Sequence, residues 1–124
     1  MAHRLKTANF SVIESKASDF LAIGMGGSDN ITTSFENGFE CVTIEGGHFM
    51  ICDSCNEYIK KDEICYYVAV LNRILCAKCF KKFILSATYY KEDCFVEMKN
   101  YSRIKAELEY EGLWNPDEES EFDS

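Results

Sequence analysis

The chain has no apolar run long enough to cross a membrane. Its opening residues, Met1-Ala2-His3-Arg4-Leu5-Lys6, lack the apolar stretch of a secretory signal. These two absences predict a cytoplasmic protein, in a compartment that keeps thiols reduced. Phosphate-binding loops are missing too. Gly24, Gly26 and Gly27 precede no Gly-Lys-Ser/Thr and complete no dinucleotide fingerprint, so they read as a turn. A zinc deaminase is excluded because no Glu lies two residues after His48 and no Pro precedes Cys76. No His stands near Cys41, Cys65 or Cys94 in sequence to activate those thiols, so they read as buried hydrophobes. Proline occurs once, as Pro116, where it bars any helix from continuing. Basic residues are outnumbered, 13 against 21, for a net charge of −8, which opposes a general nucleic-acid binder.

What the chain does have is cysteine. Seven occur in 124 residues, an odd number that argues against a closed disulfide framework. Four of them form two pairs, Cys52-Asp-Ser-Cys55 and Cys76-Ala-Lys-Cys79, with the spacing C-x₂-C-x₂₀-C-x₂-C. Four thiolates so arranged close a tetrahedron around one Zn²⁺ and leave no position for a catalytic water. The expected cofactor is therefore one structural zinc ion, and the expected protein is not an enzyme. Iron fits the same ligand type, and His48, four residues before Cys52, is an alternative ligand. A thioredoxin-like redox role is disfavoured because the pairs do not sit in a βαβ pattern.

The flanks make the two pairs unequal. Asn56 follows the first pair and tolerates a left-handed backbone, which predicts a knuckle. The second pair runs into Phe80, Phe83, Ile84 and Ala87 at helical spacing, so Cys76 and Cys79 sit on a helix start. Between them, Ile64–Val70 and Arg73–Leu75 read as a hairpin.

Elsewhere the fold class is α+β: a small antiparallel β meander, the zinc module and a C-terminal helix. Residues 1–48 form a β-rich segment, although 1–17 carry a mixed pattern and Ser18–Ile23 opens a short helix. Strands over Ile31–Phe35 and Phe39–Ile44 flank Asn37-Gly38, a hairpin signal because both central residues of the turn need positive φ. Residues 49–90 are the zinc module. Residues 91–114 are an amphipathic helix with Phe95, Met98, Tyr101, Ile104 and Leu108 as its apolar stripe, i,i+4 pairs Arg103–Glu107 and Lys105–Glu109, and Gly112 beyond its end. Residues 115–124 are acidic and read as a disordered tail.

Knuckle, hairpin and ligand-bearing helix over residues 49–88 resemble a treble-clef zinc finger of the single LIM-like kind. A full LIM domain has eight ligands and two zincs, and this chain has one set. The segment also resembles, in general form, small zinc proteins of bacterial and phage genomes. The resemblance implies a structural zinc and leaves the partner open, since treble clefs bind proteins, nucleic acids or only their zinc.

The expected function is a zinc-stabilised adaptor or inhibitor that binds another protein, with Trp114 and the acidic C-terminal helix as contact groups. A phage or mobile-element protein acting on a host protein is one version of this reading. The alternative is a nucleic-acid-binding regulator. Segment charges favour it only weakly: residues 49–91 hold seven Lys/Arg and four Asp/Glu, +3, and a Zn(Cys)₄ centre lowers that to about +1. Its candidate residues are Arg73, Lys78, Lys81 and Lys82, with Lys60 and Lys61 nearby. Tyr66, Tyr67, Tyr89 and Tyr90 would stack on bases in that reading, or pack in the core. No membrane partner is expected, and self-association through the second helix is a further possibility.

Overall fold

The computed structural model describes residues 1–7, 9–25, 30–36, 38–45 and 50–121. In chain order its elements are β1 (Ala2–Lys6), β2 (Ser11–Lys16), α1 (Ala17–Ala22), β3 (Asn30–Glu36), β4 (Phe39–Glu45), β5 (Met50–Ile51) and β6 (Tyr58–Ile59). Then follow β7 (Ile64–Val68), β8 (Arg73–Cys76), α2 (Ala77–Ser86), one 3₁₀ turn over Lys91–Asp93, α3 (Cys94–Tyr110) and β9 (Trp114–Glu121). The fold is α+β, as the sequence suggests, with a five-stranded sheet in the order β8-β7-β2-β1-β9. Among the described residues no helix is long and apolar enough to cross a membrane.

The mixed pattern of residues 1–17 has a physical cause. Central strand β2 buries Val12, Ile13 and Ser15 together, so both faces of the strand are covered and no alternation is visible. Tyr66 on β7 stacks on Phe80 of α2, with centroids 4.3 Å apart. The adjacent Tyr67 points the opposite way, as successive strand residues must. Its hydroxyl donates to Asn72 Oδ1 (2.7 Å), which also accepts from Arg103 Nη2 of α3 (3.0 Å). The two tyrosines thus receive one helix on each face of the sheet.

β3 and β4 pair separately, with Glu36 opposite Phe39 and Gly38 at φ 79° in the connecting turn. That bears out the hairpin, while Asn37 itself lies outside the described residues. β1 and β2 belong to the five-stranded sheet and not to this hairpin. β2 pairs antiparallel with β7 from Val12↔Val68 to Lys16↔Ile64, so the main sheet crosses the boundary expected between residues 48 and 49.

The expectation of a disordered tail over 115–124 does not hold for its first part. Gly112 takes φ 72°, its N–H donates to Glu109 O, and Leu113 N–H donates to Leu108 O. This closes α3 and turns the chain back. Residues 114–121 then run parallel to β1 as an edge strand, with Glu119 opposite Arg4 and Glu121 opposite Lys6. Composition suggested a solvated tail, but a row of acids can pair when its neighbour offers cations and free backbone groups. Residues 122–124 lie outside the described set.

α3 also departs from the apolar stripe. Ile104 and Leu108 are buried and Tyr101 is half-buried, but Phe95 and Met98 face solvent. The inward positions of the first half belong to polar groups instead. Buried Glu97 accepts from Ser11 N–H (3.2 Å) and the Ser11 hydroxyl (3.4 Å), and Asn100 Nδ2 donates to Ala69 O (2.9 Å). Removing the carboxylate strands the Ser11 donors, so Glu97→Ala should lower stability by about 1–3 kcal/mol, with Glu97→Gln recovering part. Urea denaturation of the two variants checks this.

Candidate metal centre

β5 and β6 are two residues each, paired as Met50↔Ile59 and Ile51↔Tyr58, and they support the turn that carries Cys52 and Cys55. Cys52 N–H donates to Glu57 O (3.0 Å) and Asn56 N–H to Cys52 O (2.9 Å). Asn56 sits at φ 59°, the left-handed position expected of it. On the other side, Cys76 ends β8 and is the N-cap of α2, and Cys79 lies in the first turn of that helix. The asymmetry of knuckle and helix start holds.

The four sulfur atoms lie within 4.8 Å of one another, and Cys55 Sγ is 3.9 Å from Cys76 Sγ. A zinc ion about 2.3 Å from each sulfur sets tetrahedral edges of about 3.8 Å, so the cluster fits the ion with slight contraction. The separation is far too long for a disulfide. Among the described residues no other group of three His, Cys, Asp or Glu comes together this way.

Backbone N–H groups converge on the sulfurs. Burial raises the Cys52 thiol, but hydrogen bonds from the N–H groups of Cys55, Cys76 and Ser54 outweigh it and bring Cys52 down to about 7. The Cys76 N–H lies 3.4 Å from Cys52 Sγ. Cys76 is pushed up to about 12, by burial first and then by the neighbouring thiols Cys79 and Cys52. The two thiols are thus driven apart, Cys52 down by backbone N–H donors and Cys76 up by burial and its sulfur neighbours, and a cation among the sulfurs would favour the thiolate of each.

Asp53, unremarked in the sequence, joins the two halves. Its N–H donates to Ile74 O (3.0 Å) and its Oδ2 accepts from Ile74 N–H (2.9 Å). This fixes the knuckle against β8, two residues before Cys76. The pattern of a short polar residue inside the first CxxC was the available signal.

The remaining thiols stand apart. Cys65 is buried in β7 and pushed up to about 12 by that burial, so it is inert. Cys94 is half-buried beside the Tyr89 hydroxyl. The side chain of Cys41 and all of His48 lie outside the described residues. Ser120 Oγ and Glu14 Oε1 each lie 2.8 Å from the same atom, His3 Nε2. A carboxylate only accepts, so the nitrogen facing Glu14 carries the proton and is not a base for Ser120.

Arg73 and Lys82 come together in a groove of about 550 Å³ beside the cluster. Leu71, Leu75 and Phe83 supply its apolar lining, and Cys55 and Cys79 form part of its wall. Lys78 and Lys81 are exposed on α2 outside that lining, as Lys60 and Lys61 are before β7. Trp114 is not a free anchor. It is half-buried, edge-on to Tyr101 at 6.5 Å, with Lys105 Nζ 5.3 Å from its ring centre. Of the four tyrosines, Tyr66, Tyr67 and Tyr89 pack internally, Tyr89 edge-on to Phe10, and Tyr90 is exposed.

No family model, curated protein or solved structure matches this chain.

Proposed function

We propose that the chain is a non-enzymatic module of treble-clef type, held by one zinc ion, that binds another protein. The order of knuckle, hairpin β7–β8 and ligand-bearing α2 supports the fold type. Cys52, Cys55, Cys76 and Cys79 would hold the ion, which supplies a structural cross-link. The observation that carries the binding role is the groove walled by Cys55 and Cys79. Its shape depends on the metal, and it combines apolar side chains with two cations, Arg73 and Lys82, that have no ion pair among the described residues.

The groove carries both signs. Asp53 and the thiolates of a Zn(Cys)₄ centre stand beside Arg73 and Lys82, which weakens the field that a phosphate backbone needs. A protein segment presenting a carboxylate next to an apolar side chain satisfies the same surface better. The nucleic-acid reading keeps one support, the same two unpaired cations.

Affinity capture with zinc-loaded protein tests the choice. A protein partner should be retained by the wild type and lost by the double variant Arg73→Glu, Lys82→Glu, with zinc content unchanged. Binding of DNA or RNA that falls steeply with salt, and no protein partner, would replace this reading with the alternative.

A further inference from the structure

The groove beside the sulfurs draws its cations from two elements, Arg73 from β8 and Lys82 from α2, and its open apolar surface from Leu71 and Phe83. Given that this groove takes a protein segment, the segment that suits it is an apolar side chain with a carboxylate on each side. The chain carries one at the end of β9, Glu121-Phe122-Asp123. Another exposed aromatic between two acids, Tyr110 between Glu109 and Glu111, is fixed at the end of α3.

The Glu121–Asp123 segment does not reach the groove of its own chain. β8 and β9 are the two opposite edges of the sheet β8-β7-β2-β1-β9. Glu121 lies opposite Lys6, and the registers Lys6↔Ser11, Val12↔Val68 and Val68↔Arg73 set Glu121 and Arg73 at the same end of that sheet. Four strand spacings separate them, about 19 Å. The three residues after Glu121 span at most about 11 Å. A second copy has no such limit, and charge favours it. With zinc bound, residues 49–91 carry about +1, whereas residues 92–124 hold three Lys/Arg and eleven Asp/Glu, −8. The basic module of one chain thus complements the acidic end of another. We infer that the groove binds the Glu121–Asp123 segment of a second copy of this chain, with Phe122 on Leu71 and Phe83 and the carboxylates at Arg73 and Lys82. The contact is heterologous, since the segment of one copy meets a different surface of the next.

Sedimentation of the zinc-loaded chain at physiological salt, up to several hundred micromolar, should show species of at least twice 14.2 kDa. Phe122→Asp should weaken the association about tenfold or more, as loss of an aromatic anchor does. The double variant Arg73→Glu, Lys82→Glu should weaken it as much, and Tyr110→Ser should leave it unchanged. All variants should keep wild-type circular dichroism and metal content. An equal mixture of the Phe122→Asp chain and the double variant should pair again at twice 14.2 kDa. One chain keeps its groove and the other its segment, and a folding defect is not repaired by mixing. A wild-type chain that stays monomeric, an assembly that survives Phe122→Asp, one that is lost with Tyr110→Ser, or a mixture that does not pair overturns the inference. Each of these leaves the wider reading of the groove to affinity capture, where a different protein lost with Arg73→Glu, Lys82→Glu still supports it. Self-association by these rules with no captured protein would instead leave the second copy as the occupant.

Discussion

Cys52→Ser should abolish tight zinc binding and unfold the protein well beyond the knuckle. Cys52 is fully buried, its sulfur collects several backbone N–H donors, and no other described side chain is placed to take over as fourth ligand. Binding a structural zinc contributes on the order of 10–16 kcal/mol in small modules, while a whole domain is stable by about 5–15 kcal/mol. Losing the ion therefore removes about as much as the fold has. The damage should spread because Cys76 terminates β8, β8 pairs with β7, and β7 pairs along its length with the central strand β2. Metal content by mass spectrometry, with hydrogen exchange across the sheet, checks both parts. Cys65→Ser is the control, since Cys65 sits one strand from the cluster yet is not part of it, and that variant should keep one ion per chain. A Cys52→Ser protein with one bound ion and an unchanged melting temperature would remove the basis for the metal centre.

Phe80→Ala should cost about 3–5 kcal/mol, the range for emptying a buried aromatic site. Phe80 is fully buried, stacked flat on Tyr66, and is the one described side chain of α2 that is completely enclosed. It follows Cys79 directly, so a loosened helix start also disturbs the fourth ligand. The variant should show a lower denaturation midpoint and weaker zinc retention against a chelator, while excess zinc recovers part of the stability by mass action. A variant with wild-type stability and unaltered metal affinity would mean that α2 is held by its ligands alone.

The contrast between α2 and α3 shows what a pattern conveys. In α2 the apolar periodicity and the buried face agree: Phe80 is enclosed, and Phe83 and Ile84 pack behind it. In α3 the same kind of periodicity picked Phe95 and Met98, which are exposed, and passed over Glu97, which is buried. Periodicity reports which residues share a face, and it is blind to a carboxylate that finds two donors on a neighbouring strand. Arg103 is similar. It stands four residues before Glu107, but it bonds Asn72 across the sheet, whereas Lys105 and Glu109 do pair, at 3.8 Å.

The sequence by itself determined the cysteine cluster and its local supports: the grouping of Cys52, Cys55, Cys76 and Cys79, the left-handed Asn56, the helix after Cys79, and the turns at Gly38 and Gly112. These rest on interactions between residues a few positions apart, or on paired cysteines whose type and spacing suit one metal ion. Tertiary structure alone decided that β1 and β2 join the β7–β8 hairpin and that an acidic segment becomes edge strand β9. It also placed Arg73 and Lys82 in a groove beside the sulfurs and left Phe95 and Met98 of α3 exposed. Those outcomes depend on pairings between residues up to a hundred or so positions apart, whose partners become available only once the sheet has formed.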